Sequence, residues 1–411
     1  MSRQIVFTLL LLCSITLLFF GYNNNDAFIK SITEDRHHTT VRDMSLSRVT
    51  TASHYSDSKE SIFASPKNNV QALMRNSRPP IPIAYAGIDD FSSLFQADDD
   101  NTRKVPFFWH IPRSGGTTII SLMGKCHGLH VASTSSPFDH SPESLPDYDH
   151  YQEIFMSKTD SLYLTRYDEV KYFNVNLNST TGLERAMRLN LVGQLDPLVH
   201  VISSPLIHET ADTLFSLAHT KEKSFKGVMA AFIRHPIERE ISQFSILKQQ
   251  KAEFANYELL DWIHSESFID NIMVRSIVNK NDPSDEINLK DVLVAKEVLR
   301  RKCLIGLLEE KEESWRRLKQ YFGQDWDAIG ANERMGNEYE CEENMLNWEW
   351  NPQIYHPFVK QQDDNASRNL NFVYERLITM NAWDMQLYEY AKFLFWEQGQ
   401  QFSNNGATVS T

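Results

Sequence analysis

Six consecutive residues, Arg113-Ser-Gly-Gly-Thr-Thr118, follow an apolar run from Val105 to Ile111 and precede a helix-forming stretch. A strand, a glycine turn and a helix in that order leave free backbone N–H groups pointing into the turn. Gly115 and Gly116 allow an anion close to the backbone, Thr117 and Thr118 supply hydroxyls, and Arg113 supplies a permanent positive charge. The chemistry is recognition of an oxyanion, phosphate or sulfate. A nucleoside-triphosphate loop reads G-x-x-x-x-G-K-[ST]. Here Thr117 directly follows Gly116, and the basic residue precedes the glycines. A second constellation repeats the logic. Gly227-Val-Met-Ala-Ala-Phe-Ile233 reads as a strand, Arg234 stands at its C-terminal end, and Pro236 opens a helix. Open α/β sheets bind ligands at that strand end. Ile237, Ile241 and Phe244 form the buried stripe of this helix. Ser242 lies off the stripe, and Glu238 and Arg239 read as more solvent-facing.

His110-Ile-Pro-Arg-Ser-Gly-Gly-Thr-Thr118 resembles the 5′-phosphosulfate loop of Golgi carbohydrate sulfotransferases, which use the donor PAPS (3′-phosphoadenosine 5′-phosphosulfate). Arg234-His-Pro-Ile-Glu-Arg-Glu-Ile-Ser242 is similar to the 3′-phosphate element of the same family. Asn381-Ala-Trp-Asp-Met-Gln-Leu-Tyr388 looks like its closing helix. The resemblance implies a P-loop-type three-layer α/β fold with a central parallel sheet. It implies that Arg113, Ser114, Gly115, Gly116, Thr117 and Thr118 hold the 5′-phosphosulfate, and that Arg234 and Ser242 hold the 3′-phosphate. The family carries Lys where this chain has Arg113, and a guanidinium is a planar fork rather than a point charge. PAPS enters as co-substrate, with no metal. The implied partner is a glycan or glycoprotein acceptor.

Sulfuryl transfer needs the two oxygens in line, the leaving phosphate neutralised, and a base for the acceptor hydroxyl. Arg113 serves the leaving side. His200, His208 and Glu209, between the two motifs, are the base candidates. His127 and His130 follow the first helix and read as too distant. Trp262, Trp315, Trp348 and Trp350 read as packing residues, and Arg300-Arg301-Lys302 and Arg316-Arg317 as solvated helix faces.

These residues need an alternating β/α scaffold to hold them. Expected strands are Val105–Ile111, Val199–Ser203, Val228–Ile233 and Cys303–Leu308. Expected helices are Thr118–Cys126, Ile237–Gln250, Tyr257–His264, Leu289–Arg301, Glu312–Phe322 and Asn369–Phe395, the last broken near Asn381. The catalytic domain spans 104–398. Before it, residues 23–103 read as a flexible stem with a short docked segment at 88–95, and 399–411 as a disordered tail.

Residues 5–22 are apolar and span about 27 Å as a helix, enough for a thin bilayer. Bulky residues stand where a cleavage site needs small ones, which points to an uncleaved signal anchor after a cytosolic stretch 1–4. Arg3 before the run and Asp26 after it place the rest in the lumen. The expectation is a single-pass type II Golgi membrane glycoprotein. The sequons at Asn178 and Asn365 fit it. Of the 4 cysteines Cys13 lies in the anchor. Cys126, Cys303 and Cys341 allow one disulfide and leave one thiol. A formal net charge of −13 argues against nucleic acid as a partner. Two other functions fit the motifs less well. A P-loop kinase needs the Walker lysine, which is absent. An inactive membrane-tethered glycan-binding protein on the same fold would bind donor without turnover.

Overall fold

A computed structural model describes residues 78–95, 102–133, 161–216, 225–322, 338–348 and 364–406. The expected anchor at 5–22 and the stem up to 77 lie outside the described residues. Among those described, no helix is long and apolar enough to cross a membrane.

The strands are β1 Arg103–Trp109, β2 His130–Ala132, β3 Leu164–Tyr167, β4 Val170–Phe173, β5 Val201–Ser204, β6 Phe225–Ile233 and β7 Cys303–Leu307. They form one sheet in the order β3-β4-β2-β5-β1-β6-β7. Every pairing is parallel except β3 with β4 at one edge. The helices are α1 Gly116–Ser121, which runs on as a π turn Leu122–Cys126, α2 Thr180–Arg188, α3 Ile207–Leu214 and α4 Pro236–Gln250. They continue with α5 Leu259–Ile263, α6 Ile272–Val278, α7 Leu289–Lys302 and α8 Lys311–Phe322. The last three are α9 Glu338–Trp348, α10 Asp364–Met380 and α11 Ala382–Gly406.

The central strands read as almost unbroken apolar runs because both faces are covered. In β1, Val105, Phe107 and Trp109 face a core shared with α2, α3, α6, α7 and α11, while Phe108 faces one built with α1 and α8. In β6, Met229, Ala231 and Ile233 join the first core, and Val228, Ala230 and Phe232 the second. A third apolar cluster joins Ile237 and Phe244 of α4 to Trp262, Phe268 and Leu377. The register puts Trp109 beside Ser204 on one side and Ala231 on the other. From β1 the chain crosses outward to β2, and from β5 it returns past β1 to β6. The strand order therefore reverses beside β1, where a doubly wound sheet opens a crevice at its C-terminal edge.

Two boundaries differ from the sequence expectation. The docked segment expected at 88–95 begins earlier, at 83: Tyr85 is buried as well as Ile88 and Phe91, and Ile88 pairs with Gly227 beside the sheet. The Pro-rich flank at 79–82 hides the earlier start in composition, but three apolar anchors suffice to dock a short segment. Nor does order end at 398. Helix α11 reaches Gly406, because Phe402 is buried against Phe91. Cys126 and Cys341 form a disulfide between the π turn and α9, and Cys303 is a buried free thiol.

Candidate active site

The turn after β1 is built by left-handed backbone at two places. Arg113 has φ 65° and Gly115 has φ 81°, both left-handed. Glycine adopts that region freely, whereas arginine does so at a cost, and such costs concentrate at working sites. The His110 N–H donates to the Ser204 carbonyl at 3.0 Å, extending the β1–β5 pairing into the turn. The Ser114 N–H closes the loop onto the Ile111 carbonyl at 3.2 Å, and the Ile119 N–H starts α1 on the Gly115 carbonyl at 3.2 Å. The N–H groups of Gly116, Thr117 and Thr118 come before that first helical bond. Ser114 is 1% exposed, and its hydroxyl has no hydrogen-bond partner among the described residues. A buried hydroxyl left so costs roughly 1–3 kcal/mol, which a bound oxyanion would recover.

The two motifs meet here. Arg113 Nε donates to Ser242 Oγ at 3.1 Å, and Arg234 Nη1 donates to the Arg113 carbonyl at 3.3 Å. Parallel pairing of β1 with β6 makes this possible, because it sets Trp109 and Ile233 at the same edge. Ser242, two turns into α4, is 3% exposed and reaches back over the loop. Arg234 Nε also lies 3.5 Å from the Glu238 carboxylate one turn along α4.

Behind Arg234 lies a buried polar assembly. Arg239 is 2% exposed and ion-paired to Glu240, which corrects the sequence expectation of a solvent-facing Arg239. Helix periodicity assigns a charged residue to solvent by default, but α10 and α11 cover this face of α4. Burial pushes the Glu240 carboxyl up to about 7 despite the Arg239 guanidinium. Asp384, fully buried, is pushed up to about 6 by the same cause. Asp384 accepts the Met273 and Val274 N–H groups at 3.0 and 2.9 Å, capping α6. Asn271 in turn accepts the Trp383 and Asp384 N–H groups at 2.9 and 3.1 Å, capping α11. These crossed caps fix the closing helix to α6, and the sequence reading does not assign them. Asp and Asn near helix starts are the visible signal. Tyr388 donates to Glu309 after β7, and His235 packs edge-on against its ring. Burial lowers the proton affinity of His235, opposed by Glu238 and Glu309.

The base candidates separate. His200 precedes β5 at the N-terminal edge of the sheet. Its Nδ1 accepts the His130 N–H at 2.8 Å, and the two rings stack at 4.4 Å. Four residues of strand, roughly 13 Å, separate it from Ser204 beside the loop. His200 is therefore removed from the catalytic set. The sequence reading puts it at a strand; it stands one residue before β5, at the end that faces away from the loop. His208 and Glu209 open α3 at the C-terminal edge. The His208 ring packs edge-on against buried Tyr85 at 5.7 Å, and burial lowers its proton affinity. Glu209 Oε1 accepts from Asn281 at 3.1 Å, while Oε2 has no partner among the described residues. Among the described residues no His, Cys, Asp and Glu group could hold a metal ion. No family model, curated protein or solved structure matches the chain.

Proposed function

We propose that the chain is a PAPS-dependent sulfotransferase on a P-loop-type three-layer fold, moving a sulfuryl group to a glycan hydroxyl in the Golgi lumen. The observation that supports it most is the contact between the two anion motifs, Arg113 with Ser242 and Arg234 with the Arg113 carbonyl. One nucleotide carrying phosphates at both its 3′ and 5′ positions suits two adjoining anion subsites. The glycine turn takes the 5′-phosphosulfate, with Ser114, Thr117 and Thr118 as donors. Arg234 takes the 3′-phosphate once that anion displaces the Glu238 carboxylate, and Ser242 completes the subsite. Arg113 spans both and neutralises charge on the leaving phosphate.

The test is transfer of labelled sulfate from PAPS to a panel of desulfated glycans by the purified lumenal portion, with calorimetry of the product nucleotide PAP alongside. Arg113→Ala and Arg234→Ala each lose transfer, and Arg234→Ala weakens PAP binding about 10- to 100-fold, the range for a charge-assisted hydrogen bond. PAP binding equal in Arg234→Ala and wild type, or none in either, refutes the reading.

A further inference from the structure

The loop contains a titratable ring to which the sequence reading gives no role. A Cβ built on Gly116 would lie 2.2 Å from His110 Cδ2 and 2.5 Å from His110 Nε2. The imidazole therefore fills the space a side chain at position 116 would take, with its Cδ2–Nε2 edge against the first residue of α1. His110 itself is held from below. Its backbone N–H is bonded to the Ser204 carbonyl on β5, which fixes the backbone that carries the ring to the sheet. We infer that His110 is the catalytic base, taking the acceptor hydroxyl proton at the mouth of the glycine turn. This rests on the sulfotransferase reading.

The alternatives fit less well by place. His200 is at the far edge of the sheet. His208 is turned onto Tyr85, whose hydroxyl donates to the Ile277 carbonyl in the core beneath. Glu209 is one strand over from the loop and tied to Asn281. His110 packs against Gly116, a residue of the anion turn itself. Balanced, the step is a transfer of one proton and one sulfuryl group. The acceptor oxygen forms a bond to sulfur and gives its proton to His110. The bond from sulfur to the bridging oxygen breaks, and its electron pair leaves with the 5′-phosphate of PAP, beside Arg113. The proton on His110 is then lost to solvent.

The experiment compares wild type, His110→Gln, His110→Ala and Glu209→Gln at saturating PAPS over pH 5–9, with PAP calorimetry and thermal melts. A general base contributes about 10²- to 10⁴-fold, so kcat for His110→Gln falls by that factor. PAP affinity stays within about 3-fold, because the ring accepts a proton and does not hold the nucleotide. The acidic limb of the wild-type rate profile, where protonated imidazole is inactive, disappears in the variant. Added imidazole restores part of the rate to His110→Ala. A His110→Gln enzyme with wild-type kcat and an intact acidic limb overturns the inference and leaves the sulfotransferase reading standing. So does a rate that collapses in Glu209→Gln instead. Should both His110 variants melt at room temperature, a wild-type profile without an acidic limb overturns it on its own. A wild type that neither binds PAP nor transfers sulfate overturns both.

Discussion

The two edges of the sheet use the same residue types to opposite ends. At the N-terminal edge every charge named here has its counterpart. Asp89 joins Lys104 and Lys226, and Asp90 joins Lys302 at 2.6 Å and Arg301 at 2.9 Å. Arg103 donates to the Val192 and Val199 carbonyls at 2.9 and 2.7 Å. His200 accepts from the His130 backbone. These bonds clamp the segment 83–95 and the strand starts together. At the C-terminal edge, buried polar atoms are left waiting: Ser114 Oγ, Glu209 Oε2 and His235 Nδ1 have no hydrogen-bond partner among the described residues. Native interiors rarely tolerate such atoms without a reason. A satisfied arginine or histidine is architecture, and an unsatisfied buried donor or acceptor beside a strained turn is where a ligand belongs.

Arg239 tests that distinction most severely, because it sits at the functional edge with its Nη2 paired to Glu240 while its Nε has no partner among the described residues. If the ion pair makes it architecture, Arg239→Met leaves Glu240 buried without its counter-ion and destabilises the fold by about 3–5 kcal/mol. The double variant Arg239→Met/Glu240→Leu regains most of that loss in urea unfolding. A stable Arg239→Met with weakened PAP binding would instead move Arg239 into the donor site.

The pH response of the same cluster is the next largest effect. Glu240 and Asp384 have folded values of about 7 and about 6, both above their unfolded values. Between the unfolded and folded values the native state holds the extra protons, so this contribution to stability is present at acid pH and is lost as pH rises toward 7. Glu240→Gln removes the part that belongs to Glu240. The difference in unfolding free energy between variant and wild type therefore changes by roughly 1–3 kcal/mol between pH 5 and 8. A difference that does not vary with pH would place Glu240 outside the titrating cluster.

Much of this arrangement is legible in the sequence, and what is not has physical causes. The double-faced strands β1, β6 and β7 announce themselves as apolar runs because helices cover both faces. The break at Asn381 falls where the sequence puts it, and its side chain accepts the Asn271 N–H at 3.0 Å. Strands β2, β3 and β4 pass unnoticed because three or four residues carry no period. Helices α2, α3 and α6 are likewise too short to show one. The seating of 83–95 depends on partners more than a hundred residues away, such as the carbonyl of Ile277 for Tyr85. His110 is read in the sequence as part of a motif string. Its proximity to Gly116 is visible only once the turn folds back.

Ser114 separates the two edges more finely. Its hydroxyl is buried and partnerless before ligand binds, so Ser114→Ala removes an unpaid desolvation and stabilises the free protein by about 0.5–1 kcal/mol. The same change removes a donor to the 5′-phosphate and weakens PAP binding by about 3- to 10-fold. A thermal melt and a calorimetric titration on one preparation read both signs. Opposite signs are expected at the C-terminal edge. If Ser114→Ala destabilises the free protein, the hydroxyl has a structural partner and is no part of an open subsite.

The smallest effect belongs to His200, and its smallness carries the information. His200 Nδ1 accepts the His130 backbone N–H, and its ring stacks on His130 over the N-terminal edge. His200→Asn keeps a side-chain acceptor of similar reach, so the unfolding free energy falls by no more than about 1 kcal/mol, the net worth of one hydrogen bond. Transfer rate and its pH profile stay as in wild type, because roughly 13 Å of strand separate the ring from the glycine turn. A histidine between two anion motifs invites a catalytic role from sequence order alone. A loss of rate in His200→Asn larger than its loss of stability explains would mean that the two edges communicate, and the division between clamp and site would have to be redrawn.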